Sequence, residues 1–600
     1  MAITGSPDVF VQEQDLSSYV SADSVTTGAV VGCFEWGPTF DITKITSEAR
    51  LLQYFGKPYD YNYKDWYTAR NFLNYSSSLA VVRVLNDGAT NASDTAEDIR
   101  IDNYSMFDFI NKKSAQIIAR YPGEKGNKIR VAMYNKAYID EQKELQKLGM
   151  LQGGIKHLAY ETIKRPLTEM EVAVVVYVDD VLQESGIFSL LPDATDSSGY
   201  GNFLFKYFNN NSNWIYLIQN NFGEKFEYQS TMQNTGEIYT DEFTVKWFDE
   251  KGNFDFFERE AVVVRDENDL PVYLPDGRRQ HTIEYVLNED MSRRLLPINI
   301  DVTLGGGYSD NEISLGAYQK GWNLFYNEET EDADVQLLMQ GGGDIAVGNY
   351  IIDIANTRMD CVACVSPMLE EVVNTLNPVD NIINGSGAEY QKSSYAFMDG
   401  NYKYQYDIHN DVYRWMPLNG DIAGIMAETD VTEDPWMSPG GKSIKNCVKL
   451  AYNPTKAERD ILFEHNVNPV TNFRAEGNIL WGDWTRVDNT AFNFIGVRRM
   501  FLYIERAIKE YARNVMWKQN DELTETLFIQ TVEPFLRTVQ GGRGIQDFKV
   551  YAGASVTSPE EMDRGIFRAK ILVKPVRSIR YVVLVFSAVR SDMSIEEVVQ

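Results

Sequence analysis

The sequence predicts a multidomain α/β and α+β fold with a β-rich inserted domain and strand-forming terminal arms. Three observations lead there. Between residues 26 and 87, strand-like and helix-like segments alternate, as in a unit built on a largely parallel sheet. From about 95 to 300 the texture changes to short apolar or alternating runs broken by Gly, Asn and Asp, the signature of hairpins. The final quarter sets one long amphipathic helix beside several strand-like segments.

Taken in order, the start places Val9, Phe10, Val11 and Gln12 in a short strand that needs another sheet to join. TTGAVVGCFEWGPTFDITKIT reads as strand, Gly-Pro turn and strand. SEARLLQYFG follows as a helix capped by Ser47, KDWYTARNFLNY as a second helix and SLAVVRVL as a buried strand. RVAMYN, EVAVVVYVDDVLQESG, NWIYLIQN and DEFTVKWFDEKGNFDFFEREAVVVRD supply the strands of the insertion. VTLGGGYSDNEISLG marks re-entry, followed by the helix GAYQKGWNLFYN and the strands ADVQLLMQ and CVACV. KAERDILFEHNVNPVTNF pairs a helix with a strand, and DFKVYAG, FRAKILVKPVRS and IRYVVLVFSAV close the chain as strands. The tail ends in a short potential strand containing Ile595, Val598 and Val599. These readings divide the chain into an arm (1–25), an α/β domain (26–94 with 300–430), the β-rich insertion (95–299), a C-terminal domain (431–590) and a second arm (591–600).

At 600 residues, 44% of them hydrophobic, the chain is long enough for several cores. No apolar run approaches the roughly 18 residues of a membrane span, and MAITGSPDVFVQEQ lacks the make-up of a signal peptide, so a soluble protein without membrane insertion is expected. The net charge of −29 is unevenly spread. Residues 441–600 carry 23 basic and 19 acidic side chains, whereas the other 440 residues carry 34 and 67. Such acidity argues against direct nucleic-acid binding, and the asymmetry suggests two parts that meet different surroundings.

Few motifs point to chemistry. EDPWMSPGGKSIKN contains the GKS that ends a phosphate-binding loop, but Trp436 stands where the opening glycine belongs and Pro435 interrupts the acidic run before it. A Pro/Gly turn anchored by Trp436 fits better. Cys361 and Cys364 form a C-x-x-C after a helical stretch and within an apolar run, which favours buried strand cysteines over a metal or redox pair. GGRG at 541–544 reads as a tight helix-to-strand connection. No histidine motif, nucleophile elbow or dinucleotide loop appears, so an NTPase or carbohydrate hydrolase is disfavoured and neither a cofactor nor a metal is expected. The helix at 491–518 has an apolar face of Val497, Met500, Phe501, Ile504, Ile508, Tyr511 and Val515. Its other face carries Arg498, Arg499, Arg506, Lys509, Arg513 and Lys518. That face reads either as a solvated surface with i,i+4 pairs or as a basic ridge for an acidic partner.

Several separated motifs carry a resemblance. VGCFEWGPTFDITKITSEARLLQYFGKP and the V-V-R-V strand resemble the opening domain of contractile-phage tail sheath proteins. LGGGYSD, the PWMSPGG turn (Trp436, Pro439, Gly440, Gly441), GVRRMFLYIERAIKEYARNVMWK, GIQDFKV and KPVRSIRYVVLVF are similar to later landmarks of that family, in the same order. The resemblance covers roughly 26–90 and 300–600. It implies a structural subunit, not an enzyme, stacked as hexameric rings around a tail tube and contracting during genome delivery. It implies an innermost C-terminal domain, with Arg506, Lys509 and Arg513 as candidate tube-facing residues. Arms Val9–Gln12 and Ile595–Val599 would add strands to neighbouring copies, and 431–441 would be a structural junction. Partners implied are further copies of the chain, the tail tube protein, and baseplate and tail terminator proteins, within a virion tail assembled in the host cytoplasm. A related contractile injection system or tailocin shares the same landmarks.

Overall fold

The computed structural model describes residues 26–151, 154–196, 198–247, 255, 257–288, 291–326, 333–553 and 556–580. The arm strands expected at Val9–Gln12 and Ile595–Val599, and the strand expected at 581–589, lie outside the described residues.

The chain enters through β1 (Gly28–Gly32), a run of small and β-branched residues buried on both faces. The edge strand β2 (Thr43–Ile45), helix α1 (Glu48–Phe55) and helix α2 (Tyr63–Leu73) follow, before the fully buried β3 (Leu79–Arg83). Ser47 caps α1 as expected, accepting from the Arg50 N–H. Arg83, in the middle of V-V-R-V, is buried by function of its geometry. Its guanidinium donates to the carbonyls of Phe34, Glu35, Gly37 and Pro122. It thereby fixes the W-G-P turn against the start of the insertion.

The insertion holds β4 (Ile117–Ala119), β5 (Ile129–Asn135), α3 (Lys136–Lys147), α4 (Leu158–Thr162), β6 (Glu171–Val178), β7 (Val181–Ser189), α5 (Leu204–Asn211) and β8 (Ile215–Leu217). Two hairpins follow, β9 (Gly223–Thr231) with β10 (Ile238–Lys246) and β11 (Arg259–Val263) with β12 (His281–Tyr285); β13 (Asn299–Thr303) then returns to pair with β5. A four-stranded antiparallel sheet, β13-β5-β6-β7, is its centre. The sequence pattern did not indicate α3. Asn135 caps that helix and only Tyr138 and Ile139 are buried, so its apolar signal is too sparse to read as periodic. Trp36, from the W-G-P turn, packs inside this region's core, stacked on Trp214 at 5.4 Å.

Re-entry brings α6 (Leu315–Trp322), β14 (Leu337–Met339), α7 (Ile345–Arg358), β15 (Val362–Val365), the short helices α8 (Leu369–Val372), α9 (Pro378–Asn384) and α10 (Ser386–Glu389), and β16 (Ala396–Met398). Together they complete a six-stranded sheet, β16-β15-β14-β1-β3-β2, parallel except for β2. Residues some 300 positions apart are thus neighbours, with Val30 opposite both Val81 and Met339. α2 covers one face of the sheet; α6 and α7 cover the other. Cys364 points into the first layer and Cys361 into the second, both fully buried as free thiols.

Beyond the sheet lie the hairpin β17 (Tyr402–Asp407)–β18 (Val412–Pro417), helix α11 (Asn419–Thr432) packed on α2, and β19 (Lys449–Leu450) on the other side of β17. α12 (Lys456–Glu464) leads to the hairpin β20 (Val470–Phe473)–β21 (Gly477–Leu480). Ile444, Leu450, Val470, Leu480 and Ile495 join the same core as α2, so packing runs straight through the boundary expected at 430/431. A separate cluster forms only further on. It is built from α13 (Ile495–Arg513), α14 (Glu522–Gly541), β22 (Ile545–Ala552), α15 (Pro559–Asp563) and β23 (Ala569–Pro575). β22 and β23 form a two-stranded antiparallel sheet carried on α14.

Candidate interaction surfaces of the C-terminal unit

α13 is the axis of this unit. Met500, Ile504 and Ala507 face Phe528, Val532 and Leu536 of α14, as the apolar spacing requires. The sequence left the other face as either a solvated surface or a basic ridge, and its first two arginines fit neither. Arg498 and Arg499 are each 6% exposed. The Arg498 guanidinium lies over the rings of Phe492 and Tyr395 and donates to the Ser394 hydroxyl at 2.6 Å. Burial lowers its affinity for its proton. Arg499 forms an ion pair with Asp430 at the end of α11. Arg506 pairs with Asp334 at 2.8 Å, not with Glu510 in the next turn. Spacing alone cannot separate a solvated cation from one that reaches across to another element.

What is left of the ridge is concentrated at the C-terminal end. Lys509, Arg513 and Lys518 line a cavity of about 610 Å³ floored by Phe528 and Phe567. Beside it the α13–α14 connection exposes Met516 and Trp517, and the start of α14 exposes Leu523. Trp517 is 97% exposed and adopts a left-handed backbone with φ +69°. A bulky residue held in that conformation without burial gains nothing from its own chain.

The turn at 433–446 is a junction in structural terms. The half-buried Trp436 donates its indole N–H to the Gly542 carbonyl at 2.8 Å and meets Tyr503 edge-on. A Cβ on Gly544 would stand 2.9 Å from the indole, so the GGRG glycines make room for this ring. The left-handed residue of that connection is Arg543, not a glycine. Pro439 is buried, and Gly441 turns the chain with φ +85° while its N–H bonds the Leu480 carbonyl. Gly441–Ile444 then run along β21, with Ser443 bridged to Ile479 and the Lys442 ammonium 3.0 Å from Glu433. GKS therefore leads into an extended segment. A phosphate loop would lead into a helix.

Asp483 and Asp430 are site residues that the sequence reading missed. The Asp483 carboxylate accepts from Ser438 in the junction, and from Ser578 and Arg580 just after β23. The Arg580 guanidinium stacks on both Trp484 and Phe494. The backbone carbonyl of Asp483 takes the first N–H of α13. Asp430, besides holding Arg499, accepts from the Thr26 hydroxyl. Both ends of the described chain are thus tied to the first two turns of α13. The signal was present in K-P-V-R-S-I-R, but its acidic partner lies about 95 residues earlier. Among the described residues, no group of three or more His, Cys, Asp or Glu could hold a metal ion, and no helix is long and apolar enough to cross a membrane.

Three family models match successive parts of the chain, with 85–318 unmatched between the first two: the tail sheath protein Gp18 domain III N-terminal region at 26–84, the phage tail sheath protein central domain at 319–486, and the phage tail sheath C-terminal domain at 487–588. The tail sheath protein of Enterobacteria phage T4 is 29% identical over 99% of this chain and 98% of its own length. That of Vibrio phage KVP40 is 26% identical over 99% of both. The chain belongs to the phage tail sheath family. It is a structural protein of a contractile tail and not an enzyme. A sheath tail protein from Listeria innocua, 11% identical, shares the fold over 93% of each chain with a TM-score of 0.52. Within the sheath family models, the boundary at 486/487 falls next to Asp483 and the start of α13, where the second cluster begins to separate.

Proposed function

We propose that the chain polymerises as stacked hexameric rings around a tail tube, and that contraction of this lattice drives the tube through a host envelope during genome delivery. The observation that carries the reading is the match to phage tail sheath proteins along nearly the whole chain. In this reading the C-terminal unit faces the tube, with Arg506, Lys509 and Arg513 presented towards it. The arms Val9–Gln12 and Ile595–Val599 add strands to neighbouring copies. The β22–β23 pair fits this, since two strands, all that the described residues of this sheet provide, gain from the addition of another. No nucleotide drives the change; subunit interfaces pass between two packings once a baseplate releases them. Baseplate, tube and tail terminator proteins are the other partners, in a virion tail assembled in the host cytoplasm. The near-neutral charge of 441–600 against the acidic remainder fits an inner and an outer surface.

Negative-stain microscopy of the purified chain should show striated hollow polymers, and deletion of residues 1–14 should leave folded subunits that form no connected sheath. Only monodisperse monomers across salt and protein concentrations would overturn polymerisation; normal polymers from the truncation would overturn the role of the arm.

A further inference from the structure

The six-stranded sheet reverses its winding between β1 and β14. β3 lies beyond β1 and is reached through α2 on one face; β15 lies beyond β14 and is reached through α7 on the other. In open α/β sheets, the crevice at the carboxyl ends of two such strands is where ligands bind. Here β14 leads through Gln340, three glycines and Asp344 directly into α7, so backbone N–H groups converge at that point.

The crevice is filled from within. Asp65, in the first turn of α2 and 4% exposed, projects over the strand ends. One carboxylate oxygen accepts the Gly342 N–H at 2.6 Å. The other accepts the Cys33 N–H at 2.9 Å and the Tyr318 hydroxyl, which arrives from α6 on the opposite face, at 3.2 Å. The fit is tight on the side of the strand ends. A Cβ on Gly32 would stand 2.5 Å from the carboxylate carbon, and one on Gly341, at φ +69°, 2.5 Å from its oxygen. Among the described residues Asp65 has no ion-pair partner, so its charge is met by N–H and O–H dipoles. Burial raises the carboxyl above its ordinary value, opposed by these three donors and by the charge of the neighbouring Lys64. A cavity of about 320 Å³, lined in part by Asp60, Tyr61, Lys64 and Asn311, adjoins the carboxylate.

We propose that Asp65 is a built-in anion: its carboxylate occupies the oxyanion site that the β1–β14 reversal creates, and removing it opens that site to a small free oxyanion. Three donors aimed at one point, two of them buried, need an acceptor, and each left unmatched destabilises the fold. A side chain tethered in α2 supplies the acceptor permanently, so an external carboxylate or phosphate finds these donors already taken. The same contact joins α2 on one face to α6 on the other across the strand ends. The proposal concerns the single chain and does not depend on how copies assemble.

The test is thermal unfolding of the full-length chain and its Asp65→Gly variant in sodium formate, acetate or inorganic phosphate, with chloride at matched ionic strength. The expected result is a variant of lower Tm whose Tm rises saturably, by several degrees, with formate or phosphate but not chloride. The unsubstituted chain should not respond. Asp65→Asn fills the space without the charge, so it should be destabilised and show no rescue. A folded Asp65→Gly chain that responds to formate and phosphate no more than to chloride would overturn the proposal, as would equal stabilisation of the unsubstituted chain. If Asp65→Gly does not stay folded, refolding yield in formate against chloride becomes the readout, and equal yields overturn it.

Discussion

The central sheet and the C-terminal unit satisfy their surfaces in opposite ways. The sheet is covered on both faces, and Phe72, Trp66 and Trp322 are fully buried beside it. Even its polar crest is closed by the chain itself: Ser366 donates to Asp399 at 2.6 Å, and the Ser366 hydroxyl accepts from the Asn419 backbone. Among the described residues the C-terminal unit has a two-stranded sheet, leaves Trp517 and Leu523 in solvent, and holds both ends of the described chain by ion pairs and hydroxyls at its helix start. Among the described residues the sheet's own core is closed by its helices, whereas the C-terminal unit exposes large apolar side chains beside its cavity.

The comparison can be broken with two aromatic substitutions and sharpened with a titration. Phe72→Ala should cost about 3–5 kcal/mol in denaturant unfolding, because the ring is buried against Gly28 in a closed core. A loss below about 1 kcal/mol would mean that the sheet is not the self-sufficient region described.

Asp399 titrates inside the closed crest. Burial raises its carboxyl from the ordinary value to about 7. The group is protonated in the fold and ionised in the unfolded chain between roughly pH 4 and 7, so stability should fall as pH rises through that window and level off above it. Asp399→Asn should flatten that slope, removing roughly 2–4 kcal/mol of difference between pH 5 and pH 8. Identical slopes in the two proteins would show that the crest is open to water.

The smallest effect is expected at Trp517. Trp517→Gly removes a ring that touches solvent and relieves a left-handed backbone, so monomer stability should change by no more than about 1 kcal/mol, in the stabilising direction. Its effect should instead appear in assembly, as shorter or fewer polymers by microscopy. A monomer destabilised as strongly as Phe72→Ala would erase the distinction between the two regions.

The sequence reading succeeded wherever a signal was local. Ser47 caps α1, the Val-rich runs at 79–83 and 171–178 are strands, and the apolar stripe of α13 faces α14, each because a few neighbouring residues decide the outcome. It went astray where partners are distant. Arg498 and Arg499 carry the same charge at the same spacing as Lys509 and Arg513, and nothing local indicates that Asp430 and Tyr395 await the first two. α3 escaped because only two of its residues are buried.

By itself, the sequence determined the main strands and helices outside α3, the buried character of Cys361 and Cys364 and the turn chemistry around Pro439 and Gly441, all set by short-range sterics and apolar patterning. Only the tertiary structure decided that β1 lies between strands more than 250 residues apart in sequence, that Asp65 closes the crevice between β1 and β14, and that Asp483 gathers the junction and the end of β23. Such contacts depend on three-dimensional proximity, and a carboxylate carries no mark of which distant N–H or guanidinium it will meet.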